Sequence, residues 1–114
     1  SLPVANLFTS SDAADLVLVG GYVHAKTGVS LGPYATQILA GLNVRRAVLS
    51  VAGASERGFF NSNLLLVETE RAMMKSADEV IVVRDTLQGP QLRQVADRSD
   101  RFWDVLTWRL AVDR

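Results

Sequence analysis

Gly53 and Gly58, in the run Gly53-Ala54-Ser55-Glu56-Arg57-Gly58, have the spacing of a loop that wraps backbone N–H groups around nucleotide phosphates. That chemistry also requires a lysine and a hydroxyl residue directly afterwards, and Phe59 and Phe60 stand there instead. Hydrolysis of a nucleoside triphosphate is therefore not expected. His24 is the single histidine and cysteine is absent. A structural metal or a His-based nucleophile needs convergent partners, so neither a metal centre nor a cofactor is expected and His24 reads as a solvated hairpin residue. Proton abstraction beside a carbonyl needs a carboxylate in a crevice, for which Glu68 and Asp85 are the candidates. The chain's lysines, Lys26 and Lys75, fall in a hairpin turn and on a charged helix face, which leaves both acids without an evident partner.

Binding is better supported than catalysis. Gly53 follows an apolar strand and leads toward Asn61, Ser62 and Asn63 at a helix start, an arrangement that either presents N–H groups to an anion or simply caps the helix. Asp85 ends a second apolar strand and either faces the same crevice or caps the next turn.

The elements that must position these residues are legible in the hydrophobic pattern. Ala47-Val48-Leu49-Ser50-Val51 and Val80-Ile81-Val82-Val83 are short apolar runs of the kind found where both faces of a parallel sheet are covered. Between them, from Asn63, Glu68, Arg71, Lys75 and Asp78 share one helical face, so Leu65, Leu66, Ala72 and Met73 are expected inward. Strand, helix and strand make a βαβ unit, whose binding crevice lies at the carboxyl ends of its strands. Upstream, Ser1 can cap a short helix with Pro3 in its first turn, and Leu16, Val17, Leu18 and Val19 read as a further apolar strand. Gly20-Gly21 turns the chain into a hairpin, Tyr22-Val23-His24-Ala25 and Val29-Ser30-Leu31 around Lys26-Thr27-Gly28. Pro33 opens a helix with Ala35, Ile38, Leu39 and Leu42 on one side and Gly41 at its end. Strands alternating with helices make an α/β fold.

With 114 residues, 48% hydrophobic and 21% charged, the chain reads as a single domain spanning 1–114 that buries roughly two-thirds of its unfolded surface. Twelve basic residues balance twelve acidic ones, which withholds the positive field a DNA-binding domain uses to attract phosphates. No apolar run approaches the length of a membrane span and no signal-peptide pattern precedes the first element, so a soluble, cytoplasmic domain is expected. Leu106, Trp108, Leu110 and Val112 alternate with polar residues in the manner of a half-covered strand. With Trp103, Trp108 supplies the candidate anchors of an interface between copies.

The stretch from Asn43 to Asp85 resembles the effector-sensing domain of DeoR-type bacterial transcriptional regulators. The resemblance is carried by Ala52-Gly53, Gly58-Phe59, Glu68-Thr69-Glu70-Arg71-Ala72-Met73 and Val83-Arg84-Asp85. It extends upstream through Leu18-Val19-Gly20-Gly21, Thr27-Gly28 and Gly32-Pro33 to Ser1-Leu2-Pro3. It implies a doubly wound, mainly parallel sheet with helices on both faces, similar to ribose-5-phosphate isomerases and coenzyme A transferases. It further implies binding of a phosphorylated sugar or related metabolite, without catalysis, to control a separate DNA-binding helix-turn-helix.

The positions it makes ligand-facing are Ser1, Gly20, Gly21, Gly53 and Asp85. Gln88 joins them where the family usually has a lysine, which removes a point charge suited to phosphate. The family's Asp-x-Gly-Thr-Thr phosphate loop lies upstream of the residues matched here, and Trp108 stands where an aspartate follows the family's threonine. Two other functions compete with this one. One is a sugar-phosphate isomerase or transferase on the same fold; the other is a purely oligomerising fragment.

Overall fold

A computed structural model describes residues 1–12, 14–55, 57–84 and 93–96. Their elements are α1 (Leu2–Thr9), β1 (Tyr22–His24), β2 (Val29–Leu31), α2 (Pro33–Ala40), β3 (Val44–Val51), β4 (Gly53–Ser55), β5 (Gly58–Asn61), α3 (Leu64–Ser76), β6 (Ala77–Arg84) and β7 (Arg93–Ala96). The chain is a mixed α/β protein with a small parallel sheet. Asp85, Gln88, Trp103, Trp108 and the alternating run from Leu106 to Val112 lie outside the described residues.

The βαβ unit is present. β3 and β6 pair in parallel, Ala47 with Val80 and Leu49 with Val82, and α3 connects them after a detour through β4 and β5. The core lies between this ladder and α3. Ala47, Leu49, Val51, Phe59, Val67, Met74, Ala77, Val80 and Val82 form one buried cluster, with Met73 packed against it. Fully burying a side chain such as Phe59 or Val80 contributes roughly 1.5–3 kcal/mol.

Two expectations about this core need correction. The apolar run in β3 is covered on one face only. Ala47, Leu49 and Val51 are buried, whereas Val48 is 58% exposed and Ser50 is exposed. The run is continuous in composition but alternates in burial, because among the described residues only α3's side of the ladder is packed. On α3, the buried positions are Val67, Thr69, Glu70 and Met74, while Leu65 is exposed and Leu66, Ala72 and Met73 are partly buried. Glu68, Arg71 and Lys75 do point outward as one charged face of α3, whereas Asp78, expected on the same helical face, lies beyond the helix end in β6, where it is exposed. Leu65 and Leu66 belong to the first turn of α3, and the buried positions of the helix begin at Val67.

The residues around Gly53 form an antiparallel hairpin rather than an open loop. Gly53 pairs with Phe60 and Ala54 with Phe59, and β7 joins the other edge of β5. β1 and β2 form the expected hairpin, with Tyr22 opposite Leu31. Its turn is closed by Gly28, whose φ of +63° only glycine adopts freely. Residues 16–19 are not a strand. They are irregular, and Leu16, Val17 and Leu18 are exposed. A strand exists only with a partner for its backbone groups, and no described strand pairs with this segment.

Candidate functional site

The start of the chain is held against the first hairpin. Ser1 Oγ accepts from Val4 N–H at 3.4 Å as the cap of α1, and Leu2 N–H donates to Gly28 O at 2.8 Å. Pro3 packs beneath Gly28 so closely that a Cβ added there would lie 3.0 Å from Pro3 Cδ. α1 thereby forms one wall of a groove of about 270 Å³. Residues 16–19 also line it, and Ala35, Leu39, Thr69 and Met73 contribute from α2 and α3. The lining is apolar apart from three hydroxyl side chains, those of Ser1, Ser30 and Thr69. A mainly apolar concavity with a few polar groups is the usual form of a small-molecule site.

The three hydroxyls differ in what they already bond. Ser1 is engaged as a cap. Thr69 Oγ1 donates to Leu65 O at 2.8 Å and accepts from Gly32 N–H at 3.2 Å, in a buried position. Ser30 Oγ is buried without a partner among the described residues. Gly21 closes over it, since a Cβ on Gly21 would stand 3.1 Å from Ser30 Oγ and 2.7 Å from Leu31 O. Gly20 has open space around it. The structure thus gathers Ser1 and the segment leading into Gly20 and Gly21 around one groove, and adds Ser30 and Thr69, which the sequence alone did not single out. No local signal marks Ser30, because its environment is created by the hairpin folding under Gly21.

Gly53 belongs to a different neighbourhood, on the hairpin that follows β3. At the start of α3, the Asn63 side-chain oxygen accepts from Leu65 N–H at 2.9 Å and Leu66 N–H at 3.2 Å. Two of the helix-end donors are occupied by this cap. Asn61 is buried and its Nδ2 donates to Ser50 O at 3.0 Å and to the Glu70 carboxylate oxygens at 3.0 and 3.2 Å. Burial pushes the Glu70 carboxyl up to about 7, against the opposing effect of the Asn61 hydrogen bond. Sequence reasoning missed Glu70. By helical spacing it lies off the charged face, but nothing local in the sequence marks it as buried.

A second groove, about 490 Å³, runs between α2 and α3 and is rimmed by Glu68, Arg71 and Lys75 over a floor that includes Leu39 and Ala72. Glu68 is exposed there. His24 is half-buried in the hairpin with its Nδ1 3.1 Å from Thr27 Oγ1. Among the described residues no group of three or more His, Asp or Glu could hold a metal ion. None of their helices is long and apolar enough to cross a membrane.

No curated protein and no solved structure matches the chain. The family model for the DeoR C terminal sensor domain matches residues 1–88, a stretch that holds α1, both hairpins, the βαβ unit and the groove walls. The chain belongs to the DeoR C terminal sensor domain family, and its function is ligand sensing within a transcriptional regulator.

Proposed function

We propose that this domain binds a phosphorylated sugar or related metabolite and thereby controls DNA binding by a separate helix-turn-helix, without catalysing a reaction. The reading is supported by the family match over residues 1–88. The observation that supports this reading is the groove beside Ser1 and residues 16–19, whose lining includes Ser30, a residue with its Oγ buried and without a partner among the described residues. The ligand-facing positions that the family resemblance implies are Ser1, Gly20, Gly21, Gly53, Asp85 and Gln88; Ser1 lines this groove, Gly20 and Gly21 follow its 16–19 segment in the chain, Gly53 lies on the separate β4–β5 hairpin, and Asp85 and Gln88 lie outside the described residues. The domain is a doubly wound sheet, works in the cytoplasm and associates with copies of itself through Trp103 and Trp108.

A less anionic effector is the second reading. It is favoured by the groove's lining, which contains no charged side chain. An apolar wall without a cation desolvates a phosphate at a cost of several kcal/mol.

Thermal shift with matched pairs of phosphorylated and free sugars tests both. A ligand at about one hundred times its dissociation constant adds roughly 2.7 kcal/mol to stability. Stabilisation by the phosphorylated member, competed by inorganic phosphate, supports the first reading, and stabilisation by the free sugar alone supports the second. Silence across a broad panel in both this chain and the full-length regulator refutes a sugar effector of either kind. Turnover of ribose 5-phosphate that disappears in Glu68→Gln or Asp85→Asn would establish an isomerase instead.

A further inference from the structure

We propose that Glu70 is a proton-dependent latch between α3 and the strands it covers, closed when its carboxyl group is protonated and loosened when it ionises. The residue is 4% exposed. Its described hydrogen-bond partner is Asn61 Nδ2, and that same nitrogen also donates to Ser50 O. Three elements, α3, β5 and β3, therefore meet at one polar point beside an apolar cluster of Leu49, Val51, Phe59 and Val67. A carboxylate only accepts hydrogen bonds, and one amide nitrogen shared with a carbonyl is little compensation for a desolvated charge. The protonated acid takes the same Asn61 bond with no charge to desolvate.

The direction of the pH effect follows from this environment. The folded chain holds the Glu70 proton more tightly than the unfolded chain, whose carboxyl has its ordinary value of 4.5. The stabilisation is complete below that value and is lost as pH rises through about 7.

On the elements packed against α3, the charged or titratable side chains are Tyr34 on α2, Arg45 and Arg46 on β3, Asp78, Glu79 and Arg84 on β6, and Arg93 on β7. Tyr34, Arg45, Arg46 and Asp78 are exposed, and Glu79 pairs with Arg46. Glu68, Arg71 and Lys75 on α3 itself are exposed. The side chains of Arg84 and Arg93 lie outside what the structure describes. The latch also reaches the groove. Thr69, next to Glu70, lines that groove and holds Gly32 N–H, so loosening α3 loosens the start of α2.

The test is a carboxyl-carbon NMR titration of the whole chain from about pH 4 to about pH 9, a range that spans ordinary and raised glutamates. Melting temperature and the Gly32 amide protection factor are followed over the same range, in wild type and in Glu70→Gln. Glu70 is expected to titrate well above the other glutamates, with both readouts falling through its midpoint and Glu70→Gln removing most of that fall. A Glu70 midpoint near the ordinary value of 4.5 overturns the proposal. So does a pH-dependent loss of Gly32 protection as large in Glu70→Gln as in wild type. Should Glu70→Gln fail to fold, the wild-type resonance, assigned through its backbone correlations, decides alone.

Discussion

Thr69 Oγ1 lies 3.2 Å from the backbone nitrogen of Gly32, and this buried hydrogen bond joins residues 37 positions apart in the chain. Gly32 caps α2 at a φ of +92° and offers the helix no side chain. Thr69 therefore fixes the start of α2 against α3 at the floor of the groove.

Thr69→Val keeps the shape of the side chain but leaves the Gly32 N–H without its acceptor. A buried donor left unmade costs about 1–3 kcal/mol. Urea unfolding should show a loss of that size, and Thr69→Ser should recover most of it. Equal stability of Thr69→Val and wild type would mean that the bond contributes nothing.

Gly21 and Gly20 are adjacent but should respond differently to the same substitution. A methyl group on Gly21 meets Leu31 O at 2.7 Å, a backbone atom that cannot swing aside, whereas Gly20 has nothing within 4 Å. Overpacking of this kind costs roughly 1–3 kcal/mol. Gly21→Ala should lower the melting temperature by several degrees and Gly20→Ala should leave it nearly unchanged; matching melting curves for the two would contradict this packing.

Ser30→Ala separates stability from binding. It removes a buried hydroxyl that has no described partner, so the free protein should be unchanged or slightly stabilised. Any ligand that bonds Ser30 in the groove should lose about 0.5–1.5 kcal/mol of affinity. Calorimetry with a stabilising sugar would measure it, and wild-type affinity in Ser30→Ala would place the ligand elsewhere.

Asn63→Ala should destabilise the chain by about 0.5–2 kcal/mol, because the Asn63 side chain bonds two N–H groups of α3. Asn63→Asp should restore the cap. Chemical denaturation of the three proteins checks the order.

What the sequence made legible was local. The hairpin from Tyr22 to Leu31, the helix opened by Pro33 and closed at Gly41, and the parallel pair β3–β6 follow from turn residues and apolar runs that act over a few positions. What it hid depends on partners distant in the chain. Residues 16–19 have a strand's composition, but no strand beside them is described. Glu70 looks like a surface glutamate until Asn61, on another element, turns toward it. Val48 looks as buried as Leu49, because composition cannot say which faces of a sheet have a neighbour. Of the candidate site, Ser1, Gly20 and Gly21 could be picked out as residues, while the hydroxyl of Ser30 acquires meaning only once Gly21 lies across it.

The attachment of α1 sets an order of opening. Of its residues only Ala5 is buried, and the helix is fastened to the hairpin through the Leu2–Gly28 bond and the Pro3 contact. Segments with few buried contacts exchange their amides through small local openings, whereas core strands require global unfolding. Amide hydrogens of α1 should therefore exchange well before those of β3 and β6, and the groove, having α1 as a wall, can admit a ligand while β3 and β6 stay paired.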